Sequence, residues 1–211
     1  MSGDESYIMV PVVGLPRSGT SCTAGLIHHL GVSMGHQLRP ADKQNRRGYF
    51  EDDTLFWSLD LRMPSDMQVR LFKRYGRIRH IRFREEMMGI KAGRLCYQIP
   101  ELVRAFPQLR IIVPERPTEE IVQSQLKSRM WIGWGRKRLL ARMRVHRQKR
   151  ESDIPEQHLD VLRLPYHDTV ANPSTAIRRI CEFLDIQPTR QQVRAAMDFV
   201  SPSLEHFGKP A

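Results

Sequence analysis

The stretch Val13-Gly14-Leu15-Pro16-Arg17-Ser18-Gly19-Thr20-Ser21 follows an almost wholly apolar run, Tyr7–Val13. Behind it come three residues of apolar character spaced four apart, Cys22, Leu26 and Leu30. This order predicts a strand, a glycine-containing loop and a helix that ends at Gly31. In such an arrangement, backbone N–H groups of the loop and the helix N-terminus point into one concavity, where the helix dipole also favours negative charge. The loop is therefore predicted to bind a phosphate.

The glycine spacing of this loop is that of a nucleotide-binding P-loop with one change. Thr20 stands where the usual pattern has lysine, and the nearest cation is Arg17, three positions earlier. A P-loop nucleotidase without that lysine lacks its main cation on the transferred phosphate, so ordinary ATP or GTP hydrolysis is disfavoured. The alternative is that the loop is only a tight connection between a strand and a helix.

A second pattern lies in residues 109–118, where an apolar strand is followed by Arg116, Pro117 and Thr118. Pro117 breaks strand pairing, and Thr118 is predicted to cap a helix with an acidic first turn. Ser124 comes eight residues after Arg116, about two turns into that helix. A guanidinium and a hydroxyl so placed can hold one phosphate between them. The alternative is an arginine at a strand exit and an unrelated helix serine, each of which is common alone.

Three acidic residues close the polar loop 35–48, in Gly48-Tyr49-Phe50-Glu51-Asp52-Asp53. Asp52 or Asp53 is predicted to cap a helix that carries Leu55 and Leu59. On one interpretation all three acids are helix-start residues favoured by the dipole. On the other, one carboxylate, by preference Glu51, is a general base that reaches the reaction centre.

The rest of the chain alternates strands and helices. Residues 88–91 are predicted to form a short buried strand, 98–106 a helix, and 159–164 a strand followed by a turn at 165–168. An Asn172-Pro173 helix start and a Thr189/Gln192 capping box predict two final helices. The basic, methionine-rich segment 63–84 fits no element clearly, and its charges favour a solvated face. This alternation predicts an α/β fold of three layers, with a central parallel sheet flanked by helices and ligands at the carboxyl ends of the strands. Pro11 predicts irregular pairing of the first strand.

Length and composition favour one domain over residues 1–211, with a core over about 7–200 and a loosely held tail at 201–211. The net charge of +11 favours an anionic partner without choosing among nucleic acid, an acidic membrane and a phosphorylated cofactor. No stretch approaches the ~20 apolar residues of a membrane span, and the polar N-terminus leads us to expect a cytoplasmic protein. Three cysteines, Cys22, Cys96 and Cys181, suggest neither a disulfide framework nor a zinc site.

The loop Gly-Leu-Pro-Arg-Ser-Gly-Thr-Ser resembles the 5′-phosphosulfate loop of sulfotransferases, which use 3′-phosphoadenosine 5′-phosphosulfate (PAPS). Arg116 with Ser124 resembles the 3′-phosphate motif of the same family. The resemblance extends over Val12 to about Leu184, although Ala92-Gly93 replaces an Asp-Pro between Lys91 and Arg94, His167 stands where glutamate is usual, and no Arg-Lys-Gly loop follows at the end.

This resemblance implies a sulfotransferase that converts PAPS to 3′-phosphoadenosine 5′-phosphate while a hydroxyl or amine of a small-molecule or glycan acceptor receives the sulfuryl group. It implies no metal. The resemblance assigns cofactor binding to Arg17, Ser18, Gly19, Thr20, Ser21, Cys22, Arg116 and Ser124. Arg17 would also stabilise the transferring group, and a Gly-Tyr-(Phe/Trp)-Glu element of related bacterial sequences makes Glu51 the general base. His36 and His80 are the alternative bases.

Two other functions compete with this one. The first is a magnesium-dependent P-loop kinase of a small metabolite. The second is a non-catalytic nucleic-acid-binding protein that uses the basic residues of 129–150, where Trp131 and Trp134 are interleaved. We expect no nucleic acid, since these charges are not confined to one stripe and a surface helix beside an anionic site explains them. The oligomeric state and the roles of Lys91 and Arg94 stay open.

Overall fold

The computed structural model describes residues 7–43, 45–58, 60–128, 133–154 and 159–200. Leu59, Trp131 and the expected tail at 201–211 lie outside the described residues. The strands are β1 (Ile8–Pro11), β2 (Met87–Ile90), β3 (Arg110–Glu115) and β4 (Asp160–Pro165). The helices are α1 (Thr20–His29), α2 (Asp53–Ser58), α3 (Ser65–Phe83), α4 (Ile99–Ala105), α5 (Thr118–Lys127), α6 (Arg136–Asp153), α7 (Tyr166–Ala171), α8 (Pro173–Leu184) and α9 (Arg190–Phe199).

The four strands of the described residues run parallel, in the order β2-β1-β3-β4. β1 pairs with β2 from Ile8↔Met87 to Pro11↔Ile90, and β3 pairs with β4 from Arg110↔Asp160 to Glu115↔Pro165. Between β1 and β3 only isolated bridges form, although Met9 N–H and Val13 N–H both donate toward β3. Pro11 lies midway between these two donors and has no N–H, so the ladder is interrupted there as predicted.

Hydrophobic cores cover both faces of this sheet. Met9 and Val13 of the first strand segment point into a core with α3, α4, α5 and α6. Val10 and Val12 point to the opposite face and pack with α1, α8 and α9. Side chains alternate along a strand, and a parallel sheet must be covered on both sides. The predicted α/β fold with helices on both faces of a parallel sheet is confirmed.

The strand order gathers the predicted functional segments at one edge. The chain leaves β1 for β2 on one side and later returns to β3 on the other side of β1, so the direction of winding reverses between β1 and β3. Ligands of open parallel sheets bind at such a point, outside the carboxyl ends of the strands. The loop 14–19, Lys91, Arg116 and Tyr166 follow the four strands there.

Most local predictions are confirmed. α1 ends at His29, just before Gly31, whose φ of 103° favours glycine. The short strand at 88–91 and the helix at 98–106 appear as β2 and α4, and Thr189 with Gln192 forms a complete capping box at α9. Pro173 occupies the first turn of α8.

Two expectations about local structure are wrong, and one segment that the sequence left unassigned forms a helix. The unassigned segment 63–84 is mostly the 19-residue helix α3, and the turn at 165–168 is the start of α7. Thr118 is the first residue of α5, not its cap, and its hydroxyl accepts a hydrogen bond from Arg147. The predicted solvated face of this segment is confirmed at Arg70, Lys73, Arg74, Arg77, Arg82 and Arg84, which are exposed, whereas Arg79, on the buried face of α3, is only 2% exposed. It donates to the carbonyls of Ser33 and Gly89 and pairs with Glu85.

Among the described residues, no helix is both long enough and apolar enough to cross a membrane.

We expect acid to destabilise the fold through His28 and His29, which end α1 against Phe50 and Phe199. Burial lowers the pKa of both imidazoles below 6.5. Positive charge on His29 lowers the pKa of His28 further, and the charge of Arg47 does the same to His29. The unfolded chain therefore binds more protons once the pH falls below 6.5, so stability is lost from there downward until the folded-state pKa is passed. Unfolding in urea at about pH 7.5 and about pH 5.5 measures this loss. The double variant His28→Gln/His29→Gln should lose less stability than the wild type, and an equal loss would contradict this cause.

Candidate functional site

The loop after β1 forms a concave backbone surface at the start of α1. Arg17 has φ 77° and Gly19 has φ 103°, while Ser18 N–H donates to Leu15 O over 3.0 Å. Left-handed residues in such a turn direct neighbouring N–H groups to one side, next to the positive end of α1. A Cβ on Gly19 would lie 2.4 Å from Cδ2 of Tyr166, so glycine is required here both for its φ and for space.

A cavity of about 540 Å³ opens above this loop. Among the described residues that line it are seven cationic side chains and one carboxylate, namely Arg17, Arg39, Arg47, Lys91, Arg94, Arg116, Arg142 and Glu51. Gly19, Thr20, Ser21, Cys22 and Ser124 also line it. The excess of positive charge in a concave site attracts anions.

Nearly all of the sequence-predicted site residues therefore line one cavity. Ser18 is the exception, because its side chain is fully buried under the loop close to Gly14. Cys22 lines the cavity but stays a thiol, since burial raises its pKa to about 12.

The fold brings Arg17 close to Arg116 and Ser124, although Arg17 and Ser124 are 107 residues apart in the sequence. Arg17 Nε donates to Ser124 Oγ over 3.1 Å, and Arg116 Nη1 lies 3.5 Å from the carbonyl oxygen of Arg17. Arg116 also pairs with Glu120 at 3.0 Å, and its guanidinium lies 4.8 Å from the centre of the Tyr166 ring. Burial and then the nearby Arg116 lower the pKa of Arg17. Two close cations of this kind favour a bound anion.

Glu51 and Lys91 form a buried ion pair beside the loop. Lys91 Nζ lies 2.8 Å from Glu51 Oε1, 3.0 Å from Tyr49 O and 3.1 Å from Ser21 Oγ. Gly93 N–H donates to the same Glu51 oxygen over 3.2 Å. Burial lowers the pKa of Lys91, and the Glu51 carboxylate opposes this. Lys91 therefore places a cation at the first turn of α1. In this chain Thr20 occupies the position at which the usual P-loop pattern has its lysine.

No sequence motif assigns a role to Lys91. Its position directly after a short strand was the available signal, because the carboxyl ends of parallel strands meet at one edge.

A family model described as the Sulfotransferase family matches residues 10–190. The chain belongs to the Sulfotransferase family. The resemblance in its sequence is thereby confirmed, and sulfotransfer is the general chemistry that membership supports. A comparison with curated proteins gave no match.

Solved sulfotransferase structures share the fold. Sulfotransferase STF1 from Mycobacterium tuberculosis H37Rv is 13% identical, with a TM-score of 0.57, and the match covers 90% of this chain and 71% of that one. The sulfotransferase domain of the Synechococcus PCC 7002 olefin synthase is 14% identical, with a TM-score of 0.57 and coverage of 99% and 86%. STF9 from Mycobacterium avium is 16% identical, with a TM-score of 0.55 and coverage of 99% and 70%.

In this Sulfotransferase-family protein, the acids at 51–53 have different environments. Asp52 Oδ1 accepts the N–H of Thr54 over 3.0 Å at the start of α2, and its Oδ2 accepts from the Tyr75 hydroxyl over 3.0 Å. Asp52 is therefore the helix-start residue of the first interpretation. Glu51, its neighbour, lines the cavity.

The two histidines considered as alternative bases are not among the described residues that line the cavity. His36 stacks on Phe83 with ring centres 3.4 Å apart, and its Nε2 lies 3.2 Å from Glu85 Oε1. His80 Nδ1 lies 2.9 Å from the carbonyl oxygen of Glu85.

The basic segment of the sulfotransferase chain around Trp134 borders this cavity. α6 buries Leu139 and Met143 against the core, while Arg142 lines the cavity. The guanidinium groups of Arg138 and Arg142 lie 3.8 and 5.1 Å from the centre of the Trp134 ring. Their stacking orders these arginines at the rim of the site.

Proposed function

We propose that this protein transfers a sulfuryl group from PAPS to a hydroxyl or amine of an acceptor. The observation that carries the proposal is the convergence of Arg17, Arg116 and Ser124 on the cavity at the start of α1. Two guanidinium groups, a hydroxyl and a row of backbone donors are the chemistry that a nucleotide with two separate anionic groups requires. The donor set of the cavity thus fits the cofactor.

Within this proposal, the backbone N–H groups of Arg17, Gly19, Thr20, Ser21 and Cys22 would hold the 5′-phosphate. Ser18 of the same loop would shape the turn instead, because its N–H donates to Leu15 O. Arg116 and Ser124 would hold the 3′-phosphate. When bound, PAPS would supply a sulfuryl group already activated by its bond to a phosphate oxygen.

Arg17 and Lys91 would stabilise the negative charge that develops during sulfuryl transfer. The new bond joins the acceptor oxygen or nitrogen to sulfur while the bond from sulfur to the phosphate oxygen breaks, so negative charge develops on that oxygen. Arg17 belongs to the loop, and Lys91 lies 3.1 Å from Ser21 Oγ at the start of α1. Preorganised cations in a partly dry site stabilise such charge without reorganisation during the reaction.

The acceptor proton would go to Glu51. Its Oε1 already accepts from Lys91 and Gly93, whereas Oε2 faces Arg39 at 3.7 Å. We assign the proton to Oε2. A carboxylate within hydrogen-bond reach of the acceptor is the usual form of such a base.

Calorimetric titration with 3′-phosphoadenosine 5′-phosphate, beside 5′-AMP and with EDTA present, tests the donor. We expect the bisphosphate to bind much more tightly than AMP. Arg116→Ala should weaken the bisphosphate by about 1.5–3 kcal/mol, since a charge-assisted hydrogen bond is lost, and should leave AMP unaffected. Equal binding of both nucleotides, or an unchanged affinity in Arg116→Ala, would overturn the assignment. Binding that requires magnesium and prefers ATP would favour the kinase instead.

A further inference from the structure

The helix α3 presents an exposed side that lies outside the candidate site. No residue of α3 is among the described residues that line the cavity. Its inner side packs into the core through Val69, Phe72 and Tyr75, which holds the helix firmly against the sheet. At about 1.5 Å per residue, its 19 residues make a helix about 28 Å long. We call its exposed side the outer face of α3.

The outer face of α3 is strongly basic. Its exposed cationic residues, together with the residue that follows the helix, are Arg70, Lys73, Arg74, Arg77, Arg82 and Arg84. Asp66 is the only acidic residue within 65–84, and it pairs with Arg104. Within the described part of the chain, Lys73, Arg74 and Arg84 take part in no ion pair, since the ion pairs of α3 there are those of Asp66 and Arg79. Their charges are available to an anionic partner.

Apolar side chains lie on the same face as these cations. Met67, Ile78 and Ile81 are 52%, 45% and 54% exposed. Residues four or seven apart lie on one side of a helix. Arg74 is seven residues from both Met67 and Ile81 and four from Ile78. The outer face of α3 therefore combines exposed aliphatic side chains and unpaired cations in one surface.

We propose that the outer face of α3 docks on an anionic lipid surface. Lys73 and Arg74 contact the lipid headgroups, and Ile78 and Ile81 enter the boundary between the headgroups and the acyl chains. A helix with cationic and apolar side chains so arranged lies in the plane of such an interface. Long cationic side chains reach the headgroups while their methylene stems stay beside the apolar residues. This inference does not depend on the proposed function, because no residue of the outer face belongs to the candidate site.

Two other occupants fit the outer face less well. Cations bind the phosphates of a nucleic acid and aromatic rings stack on its bases, so exposed isoleucines contribute nothing to that contact. A second copy of the same face would bring Lys73 and Arg74 close to identical cations, and like charges repel. An anionic lipid surface uses both the cations and the isoleucines.

Co-sedimentation of the full chain with lipid vesicles tests this docking. We expect binding to phosphatidylcholine vesicles that contain about one third phosphatidylserine, and little binding to pure phosphatidylcholine. Raising the salt from about 0.1 M to about 0.5 M should weaken the binding, since salt screens the charges. Lys73→Gln/Arg74→Gln should weaken it by at least about tenfold, because each cation near the surface contributes. Ile78→Gln/Ile81→Gln should weaken it by about tenfold, because apolar burial is lost.

Arg178→Gln/Arg190→Gln is the matched control. It removes the same charge from exposed positions of α8 and α9, which pack on the opposite side of the sheet from α3. Vesicle binding of this control should stay close to that of the wild type. Urea unfolding of all three double variants should also match the wild type, since every substituted side chain is exposed.

Equal weakening in Arg178→Gln/Arg190→Gln would overturn the proposal, because net charge rather than α3 would then cause the binding. Equal binding to both kinds of vesicle, or unchanged binding in Ile78→Gln/Ile81→Gln, would also overturn it. A protein that binds a short DNA duplex at the same salt but binds no vesicle would assign the outer face of α3 to nucleic acid instead.

Discussion

Arg17→Gln is expected to lower the turnover number for sulfuryl transfer by about 10²- to 10³-fold, the scale of one lost preorganised donor in a catalytic site. Glutamine can still donate to Ser124 but carries no charge, so the variant separates charge from the hydrogen bond seen at 3.1 Å. Nucleotide binding should weaken less than turnover, because the backbone N–H groups of the loop stay in place. Turnover is measured with PAPS and an acceptor phenol, and affinity by calorimetric titration with 3′-phosphoadenosine 5′-phosphate.

Ser124→Ala is the matched comparison for Arg17→Gln. It removes the hydroxyl that holds Arg17 but leaves the charge, so its effect on turnover should be much smaller, while its effect on bisphosphate affinity should be measurable. If Arg17→Gln turned over at close to the wild-type rate, Arg17 would have no part in the chemical step and would serve binding alone.

Glu51→Gln is expected to lower turnover by about 10²-fold or more, with little change in bisphosphate affinity, because the base is lost. Stability should fall as well. Lys91 is 4% exposed and would be left in the interior without its carboxylate, and removing one partner of a buried pair costs about 3–5 kcal/mol. Urea unfolding measures the free-energy loss, and steady-state kinetics measures turnover.

The double variant Glu51→Gln/Lys91→Met separates the two effects of Glu51. Removing both charges should recover much of the lost stability, since no unpaired charge remains buried, but it should not restore turnover. Turnover that survives in Glu51→Gln would move the base elsewhere, and recovery of turnover in the double variant would mean that Glu51→Gln acted only through folding.

The sequence predicted the roles of some site residues but not of others. Arg17, Arg116 and Ser124 follow motifs whose spacing places them at strand ends, and parallel strands bring those ends together. The family resemblance favoured Glu51 over Asp52 as the base, but local propensity could not separate them, because neighbouring carboxylates at a helix start have the same local propensity. Only packing decides that Asp52 meets Tyr75 while Glu51 meets Lys91.

In α3, the composition predicted the solvated face correctly but indicated neither the helix nor its one buried arginine. Arginine is usually exposed, so a run of arginines favours a solvated segment. Arg79 is nevertheless buried, since Glu85 and the carbonyls of Ser33 and Gly89 satisfy its guanidinium. Those partners come from three other segments, and no sequence window around Arg79 contains them all.

The sequence by itself determined the strand-loop-helix unit at 7–30, the alternation that makes a parallel α/β sheet, and the family. These depend on short-range patterns: apolar periodicity, glycine where φ is positive, and the interruption at Pro11. Tertiary structure alone decided that Lys91 supplies a cation at the P-loop, that Asp52 meets the Tyr75 hydroxyl, and that Arg39 and Arg94 flank Phe56. The physical reason is that ion pairs, burial and stacking depend on which distant segments meet, and these meetings are set by the packing of the whole chain.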